Sequence, residues 1–398
     1  MVRIGIDARF VGPAGTGLGK YTEKLIQNLV KIDSQNQYFI FLRKENWDYL
    51  KLGKNFKKIL ADVSWYSLIE QVTLPKIFRS QNLDLLHVPH FNVPIFYNPP
   101  GFNLLGLHER SEFKGEFIVT IHDLIHHQFA ETSTTARNLL IFKAKRLAYR
   151  QVIAHAIKKS AKIIVPSKNI KEEVISTFRI DPSKVVVTYE AAEEEYFDNQ
   201  KLETRNPKLL NEYHIKTPFM IYVGNAYPHK NLEKLLEAFK ILTINHKPET
   251  RNLKLTLVCS RDVFWQRLAK QVQDQKLNGR VIMTSYIPAR ELSVLFRQAK
   301  AYVFPSLSEG FGIPGLNAMA AKIPVVCSDI LTLKEIYGDA ALYFDPNDPE
   351  DIASKINQVV SDSKIRSRLI DSGLQQVRKY SWQRMAKETL RVYESVFV

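Results

Sequence analysis

The chain has 398 residues, enough for two or three domains that each bury a core, and its 45% hydrophobic and 24% charged residues are ordinary for a globular protein. No apolar run approaches the ~18 residues that span a bilayer, the start MVRIGIDARF lacks the apolar centre of a signal peptide, and two cysteines, Cys259 and Cys327, make no disulfide framework, so a reducing cytoplasm is the expected setting. The net charge of +15 requires an anionic partner or a surface that tolerates it, and no helix-turn-helix, zinc-finger or RNA-recognition signature assigns it to nucleic acid.

Val2 to Phe10 alternates apolar residues and reads as a strand, and GPAGTGLGKYTEKLIQNLVKI follows, with Tyr21, Leu25, Leu29 and Ile32 on one helical face. A strand, a Gly-rich loop centred on Gly17 and a helix open a nucleotide-type α/β domain. Gly15, Gly17 and Gly19 alternate, unlike G-x-G-x-x-G, so NAD is not expected; the Gly17 loop either faces a diphosphate or is only a tight turn. Further strands are predicted at Tyr38–Leu42, Leu83–Val88, Phe117–Ile121 and Lys162–Pro166. HVPHFNVP ends one of them, so His87 and His90 either pack or face a ligand. Residues 98–116 form a loop longer than a connection needs.

VTIHDLIHH sets His122 and Asp123 directly after an apolar strand, where a histidine serves either a site or the fold. His122 and His126 have metal-like spacing, but no third ligand motif follows and no metal is expected. Residues 132–171 contain no Asp or Glu yet carry Lys143, Lys145 and Arg146 among apolar Leu139, Leu140 and Leu147. Such a basic amphipathic stretch, 137–171, suits an anionic membrane surface or is a solvated helix face.

Residues 190–217 turn acidic and then polar. The expected organisation is a first domain 1–195, a linker 196–217, a second domain 218–380 and a final helix 381–398 with Ser381 as its N-cap. The second domain restarts with the strand FMIYVG, residues 219–224, followed by NAYPHKN and a helix, with strands predicted near Leu255–Cys259, Arg280–Thr284, Ala301–Pro305 and Pro324–Ser328. Lys230 falls between a buried strand and a helix start, well placed for phosphate, with Asn231 as the expected N-cap. In SEGFGIPGLNAMAAKIPVV, residues 308–326, Glu309 sits on a glycine turn before a helix start. A carboxylate beside an anion-binding turn suits sugar hydroxyls, unless it is merely a solvated loop residue.

That stretch resembles the signature of retaining glycosyltransferase family 4, EGFG-P-x-x-E-A-M-A-x-x-x-P-V-V. Glu309, Phe311, Gly312, Pro314, Ala318, Met319 and Ala320 match, but Asn317 stands where the family has its second glutamate; His229 likewise stands where the family has arginine in G-N-x-x-P-R-K-N. The resemblance covers nearly the whole chain. It implies the α/β GT-B fold, two Rossmann-like doubly wound parallel-sheet domains facing across a cleft, with the last helix crossing back to the first domain. It also implies Glu309, His122 and Lys230 as catalytic residues, with Gly17, Asn225, His229, Phe311, Gly312, Ile313 and Asn317 joining Lys230 and Glu309 at the donor. His87 and His90 would lie on the acceptor side. Family members hold the donor sugar with the first glutamate and the ribose with the second. The implied activity is retaining, metal-independent hexose transfer from a nucleotide-sugar to a lipid-linked or oligosaccharide acceptor in envelope polysaccharide assembly, without cofactor, in the cytoplasm at or near the membrane. GDP-mannose leads because TGLGKYT, IHDL and GNAYPHKN look most like bacterial mannosyltransferases. A UDP-sugar glucosyltransferase is the same-fold alternative, and a nucleotide-sugar-binding protein without turnover, motivated by Asn317 and His229, is the alternative of a different class.

Overall fold

The computed structural model describes residues 1–12, 16–97, 116–129, 139–197, 207–244 and 250–397. The chain divides into two compact units, one of Met1–His127, Ala136–Glu190 and Ser381–Val398, the other of Ala191–Tyr380 with Gln128–Thr135.

The first unit is built on β1 (Arg3–Asp7), β2 (Gln37–Leu42), β3 (Phe56–Leu60), β4 (Leu85–Val88), β5 (Glu116–Thr120), β6 (Lys162–Val165) and β7 (Val185–Val187). They form one parallel sheet in the order β3-β2-β1-β4-β5-β6-β7, so chain order reverses between β1 and β4. Its helices are α1 (Thr16–Ile32), α2 (Leu68–Arg79), the short α3 (Ile125–Gln128), α4 (Leu139–Lys159) and α5 (Lys168–Phe178). The central strands are nearly uninterrupted apolar runs because parallel sheets carry helices on both faces. Phe41, Leu74, Phe78, Phe117, Ile153 and Ile157 fill one of the cores so formed.

The second unit repeats the plan. Strands β8 (Phe219–Val223), β9 (Lys254–Val258), β10 (Val281–Thr284), β11 (Tyr302–Phe304), β12 (Val325–Ser328) and β13 (Ala341–Phe344) pair in parallel as β10-β9-β8-β11-β12-β13, reversing between β8 and β11. Its helices are α6 (Pro207–Glu212), α7 (Leu232–Ile244), α8 (Val263–Asp274), α9 (Ala289–Gln298), α10 (Ile313–Ala320), α11 (Leu331–Tyr337), α12 (Pro349–Ser361) and α13 (Ser363–Val377). The last helix, α14 (Trp382–Glu394), belongs to the first unit, where it packs on α1; Ser381 caps it by accepting from the Arg384 N–H. Among the described residues no helix is long and apolar enough to cross a membrane.

Four expectations need correction. The division falls after Glu190, not after 195: Ala191, Ala192 and Tyr196 are buried within the second unit, Tyr196 edge-on to Phe296, so apolar residues among the acids dock this segment there. Part of the expected 196–217 linker is the helix α6 with Leu209 buried, and 198–206 lie outside the described residues. Gly17 is not in a loop but in the first turn of α1, with open space where its Cβ would stand. The close approach is at Gly19, whose Cβ would collide with the Phe10 carbonyl oxygen, so α1 lies hard against the end of the first strand's loop. Finally, the basic run 137–171 is not one helix: α4 ends at Lys159, and β6 and the start of α5 follow. The long loop predicted at 98–116 lies outside the described residues up to 115, and Glu116 opens β5.

Candidate functional site

The crevice beyond the carboxyl ends of two strands that diverge in chain order is where open parallel sheets hold ligands. In the second unit those strands are β8 and β11. After β8 the chain turns through Gly224 and Asn225 into a 3-10 turn, Pro228–Lys230. Tyr222 donates its hydroxyl hydrogen to the Asn225 carbonyl at 2.8 Å, and the Tyr227 N–H reaches Asn225 Oδ1 at 3.3 Å. After β11 the chain runs through Leu307 to the Glu309 turn. The two loops are tied together by the Leu307 N–H on the His229 carbonyl at 2.8 Å. At their meeting point Lys230 Nζ donates to Glu309 Oε1 at 2.6 Å, with the side chains only 14% and 10% exposed, and the ammonium stands 5.7 Å from the centre of the Phe304 ring.

The turn that carries Glu309 ends at Gly312, whose φ of +102° is left-handed and favours glycine. Gly312 is the N-cap of α10, and Pro314 occupies the helix's first turn. Tyr337 of α11 braces the turn by donating to the Gly312 carbonyl at 2.5 Å. Its hydroxyl occupies the space that a Cβ at Gly315 would need, so Gly315 is a requirement of this brace. The N-terminal N–H groups of α10 and the Lys230 ammonium make this end of the sheet receptive to an anion.

The corresponding crevice of the first unit, between β1 and β4, is already filled. Arg9 is fully buried and forks onto Asp7 through Nε (2.9 Å) and Nη2 (2.8 Å), while Nη2 also reaches Glu70 Oε1 at 2.8 Å. Burial opposes the guanidinium's charge, but the two carboxylates outweigh it and its pKa stands raised. Asn92 and the Tyr66 N–H complete the coordination of Glu70. His122, at the end of β5, points Nδ1 at Glu190 Oε1 (3.3 Å) and Nε2 at the Pro89 carbonyl (3.1 Å), with its ring edge-on to Tyr21. A carbonyl oxygen only accepts, so Nε2 carries a hydrogen. Nδ1 faces the Glu190 carboxylate.

Two family models match the chain: "Glycosyltransferase Family 4" over residues 16–195 and "Glycosyl transferases group 1" over residues 206–376. The O-antigen chain mannosyltransferase B of Escherichia coli is 30% identical over 282 residues, 67% of this chain and 71% of the relative. This chain belongs to glycosyltransferase family 4. The O-antigen chain mannosyltransferase RfbU of Salmonella typhimurium is 25% identical over 362 residues, 88% of each chain. Among solved structures, sucrose-phosphate synthase from Thermosynechococcus elongatus superimposes with a TM-score of 0.73 at 19% identity, covering 100% of this chain and 99% of that one, a likeness of fold. Two Rossmann-like parallel-sheet units are the GT-B pattern of such enzymes.

Within this family-4 glycosyltransferase the predicted donor residues separate into two groups. Lys230, Glu309, Gly312 and Asn225 frame the β8/β11 crevice, and half-buried Ile313 starts α10 beside them. Phe311 and His229 do not present their rings to it. Phe311 is 3% exposed and packs edge-on against Tyr380, and His229 is buried between Tyr227 and Phe129. Where the family has arginine, this chain therefore keeps an aromatic packing residue and leaves the cation to Lys230. Asn231 does not act as the expected cap either: it takes a left-handed conformation and donates its amide to the Pro346 carbonyl at 2.7 Å. Asn317 turns to Glu193, its Oδ1 accepting the Glu193 N–H at 2.9 Å and its Nδ2 donating to Glu193 Oε1 at 3.4 Å.

His87 is corrected as an acceptor residue, because it is wholly buried between the Tyr393 hydroxyl of α14 and Thr120 Oγ1, both at 2.8 Å. Burial, with the charge of His122 adding, pushes its pKa down to about 3. His90 is half-buried, its ring centre 4.0 Å from that of Phe91 with the planes tilted by 37°, and accepts the Asn92 N–H on Nδ1 at 3.3 Å, which marks it as a neutral packing ring. Sequence reasoning missed Glu190 as the partner of His122 because it stood at the head of an acidic run that read as linker. A cavity of about 610 Å³ in the second unit is lined by Asp329, Asp345 and Asp351 together with Lys355; neither Lys230 nor Glu309 lines it.

Proposed function

We propose that this glycosyltransferase moves a hexose, with mannose first, from a nucleoside-diphosphate sugar to a lipid-linked or oligosaccharide acceptor of envelope polysaccharide, with retention and without a metal. The observation that carries this is the Lys230–Glu309 pair at the β8/β11 crevice beside the start of α10. A cation and a carboxylate set side by side are matched to a donor that has both a diphosphate and sugar hydroxyls. The diphosphate takes Lys230 and the N–H groups of α10, which stabilise the charge that develops as the anomeric bond to oxygen breaks. Glu309, released, accepts hydrogen bonds from the sugar and fixes its orientation. The acceptor oxygen bonds to the anomeric carbon on the face the diphosphate leaves, and the departing phosphate oxygen takes the acceptor's proton, so Glu309 transfers none. In the first unit His122, oriented by Glu190 and the Pro89 carbonyl, is the proposed catalytic residue. Mannose is favoured because the relatives named above are mannosyltransferases of O-antigen chains.

Donor hydrolysis and transfer assays with GDP-mannose and UDP-glucose test this. Turnover of GDP-mannose is expected; preference for UDP-glucose would replace the sugar and base, and binding without turnover of any donor would make the chain a binding protein. Lys230→Met is expected to weaken nucleoside-diphosphate binding by about 10- to 100-fold, the worth of a hydrogen bond to a charged group. The exposed basic side chains of α4, Lys143 and Lys145 beside exposed Leu147, are proposed to bring the enzyme to an anionic membrane. Sedimentation with anionic vesicles that is unchanged in Lys143→Gln/Lys145→Gln would remove α4 from that role.

A further inference from the structure

The departure at Asn317 is compensated inside the second unit. A carboxylate at position 317 could accept the Glu193 N–H, as Asn317 Oδ1 does at 2.9 Å. It could not donate to the Glu193 carboxylate, as Nδ2 does at 3.4 Å; it would set two negative groups against each other. Asn317 and Glu193 are thus a matched pair in which the amide holds a carboxylate by both its backbone and its side chain. The segment bearing Glu193 is fixed independently, by buried Ala191, Ala192 and Tyr196 and by the packing of the 3-10 turn Glu194–Tyr196 on α9 and α10.

Asn317 lies four residues, one helical turn of about 5.4 Å, along α10 from Ile313 and on the same face. The Glu193 carboxylate is therefore held one turn beyond the anion-receptive end of α10 and the Lys230–Glu309 pair. A nucleoside joined to a diphosphate at that end presents its ribose next. The vicinal 2′- and 3′-hydroxyls of ribose are two donors, and a carboxylate is the side chain that accepts both.

We infer that Glu193 is the ribose-binding carboxylate of this enzyme and that Asn317 is its positioning residue. The negative charge at the ribose has moved from the helix to the segment docked on it, and the helix keeps an amide, which accepts the Glu193 N–H and donates to the Glu193 carboxylate. The inference rests on the donor assignment made above, and the two fail differently.

Calorimetric titration of the full chain with GDP, UDP and their 2′,3′-dideoxy forms separates them. The wild-type chain is expected to bind one ribonucleotide about tenfold or more tighter than its dideoxy form. Glu193→Ala is expected to lose that preference, binding the dideoxy form as the wild type does. The exchange variant Glu193→Ala/Asn317→Glu, which returns the carboxylate to the helix, is expected to regain most of it. A wild-type chain that binds neither nucleotide overturns the donor assignment. A Glu193→Ala chain that keeps the ribose preference, or that loses affinity equally for ribo and dideoxy forms, overturns the role of Glu193 alone; the second result makes it only a strap for the segment. Glu193→Gln, which retains a polar side chain of the same length beside Asn317, guards against a folding defect: it is expected to melt as the wild type does while its ribose preference falls severalfold, and an undiminished preference in it counts against the inference.

Discussion

The two units set charged side chains at the same place, the point where chain order reverses in a parallel sheet, and use them oppositely. In the first unit Arg9, Asp7, Glu70 and Asn92 close on one another and are shut from water. In the second, Lys230 and Glu309 pair with each other, keep some exposure, and stand beside the start of a helix. A charge whose hydrogen-bonding capacity is filled by its own fold contributes to structure. A pair that a competing anion can part is available to a ligand.

The comparison is broken most severely at Arg9. Arg9→Met leaves Asp7 and Glu70 buried without their cation, and is expected to cost about 3–5 kcal/mol in denaturant unfolding. A loss below ~1 kcal/mol would show that the first crevice tolerates an open charge as the second does. Glu309→Gln should do the reverse: unfolding close to wild type and transfer lowered about 10²-fold in kcat/KM through lost positioning. Full activity in that variant would make the second pair structural too.

Titration sharpens the contrast further. His87 is neutral in the folded chain, its pKa pushed down by burial to about 3 against 6.5 when exposed. Because the folded value is the lower one, its stabilisation is complete above about pH 6.5 and declines as pH falls toward 3, by up to about 1.4 kcal/mol per pH unit. Half-buried His90, lowered for the same reason, acts with the same sign. Unfolding curves at pH 7 and pH 4.5 should show the loss, and His87→Gln should flatten it. The smallest effect is expected from Tyr337→Phe, which removes the brace on Gly312 and should cost about 1 kcal/mol in unfolding. A donor KM that rises in that variant would show that the brace shapes the anion-binding turn.

The strands that the sequence did not reveal are β3, β7 and β13, each at an edge of its sheet. Interior strands are buried on both faces and read as apolar runs, whereas FKKIL of β3 carries two lysines and VVV of β7 is only three residues long. Among the candidate site residues, the placing of Lys230 and Glu309 at strand ends was legible because a strand end, a glycine and a helix start are local patterns. His87 and Phe311 were misplaced because the same local patterns do not say whether a side chain faces ligand or core. Their partners, Tyr393 and Tyr380, are distant in the chain.

By itself the sequence determined the alternation of strands and helices, the two parallel-sheet units, the family and the glycine turn that carries Glu309, since each is written in spacings of a few residues. Only the tertiary structure decided which charges are spent. Arg9 finds Glu70 sixty-one positions away, Lys230 finds Glu309 across seventy-nine, and Asn317 finds Glu193 across one hundred and twenty-four. Those pairings depend on strand order and helix docking, and no local pattern encodes them.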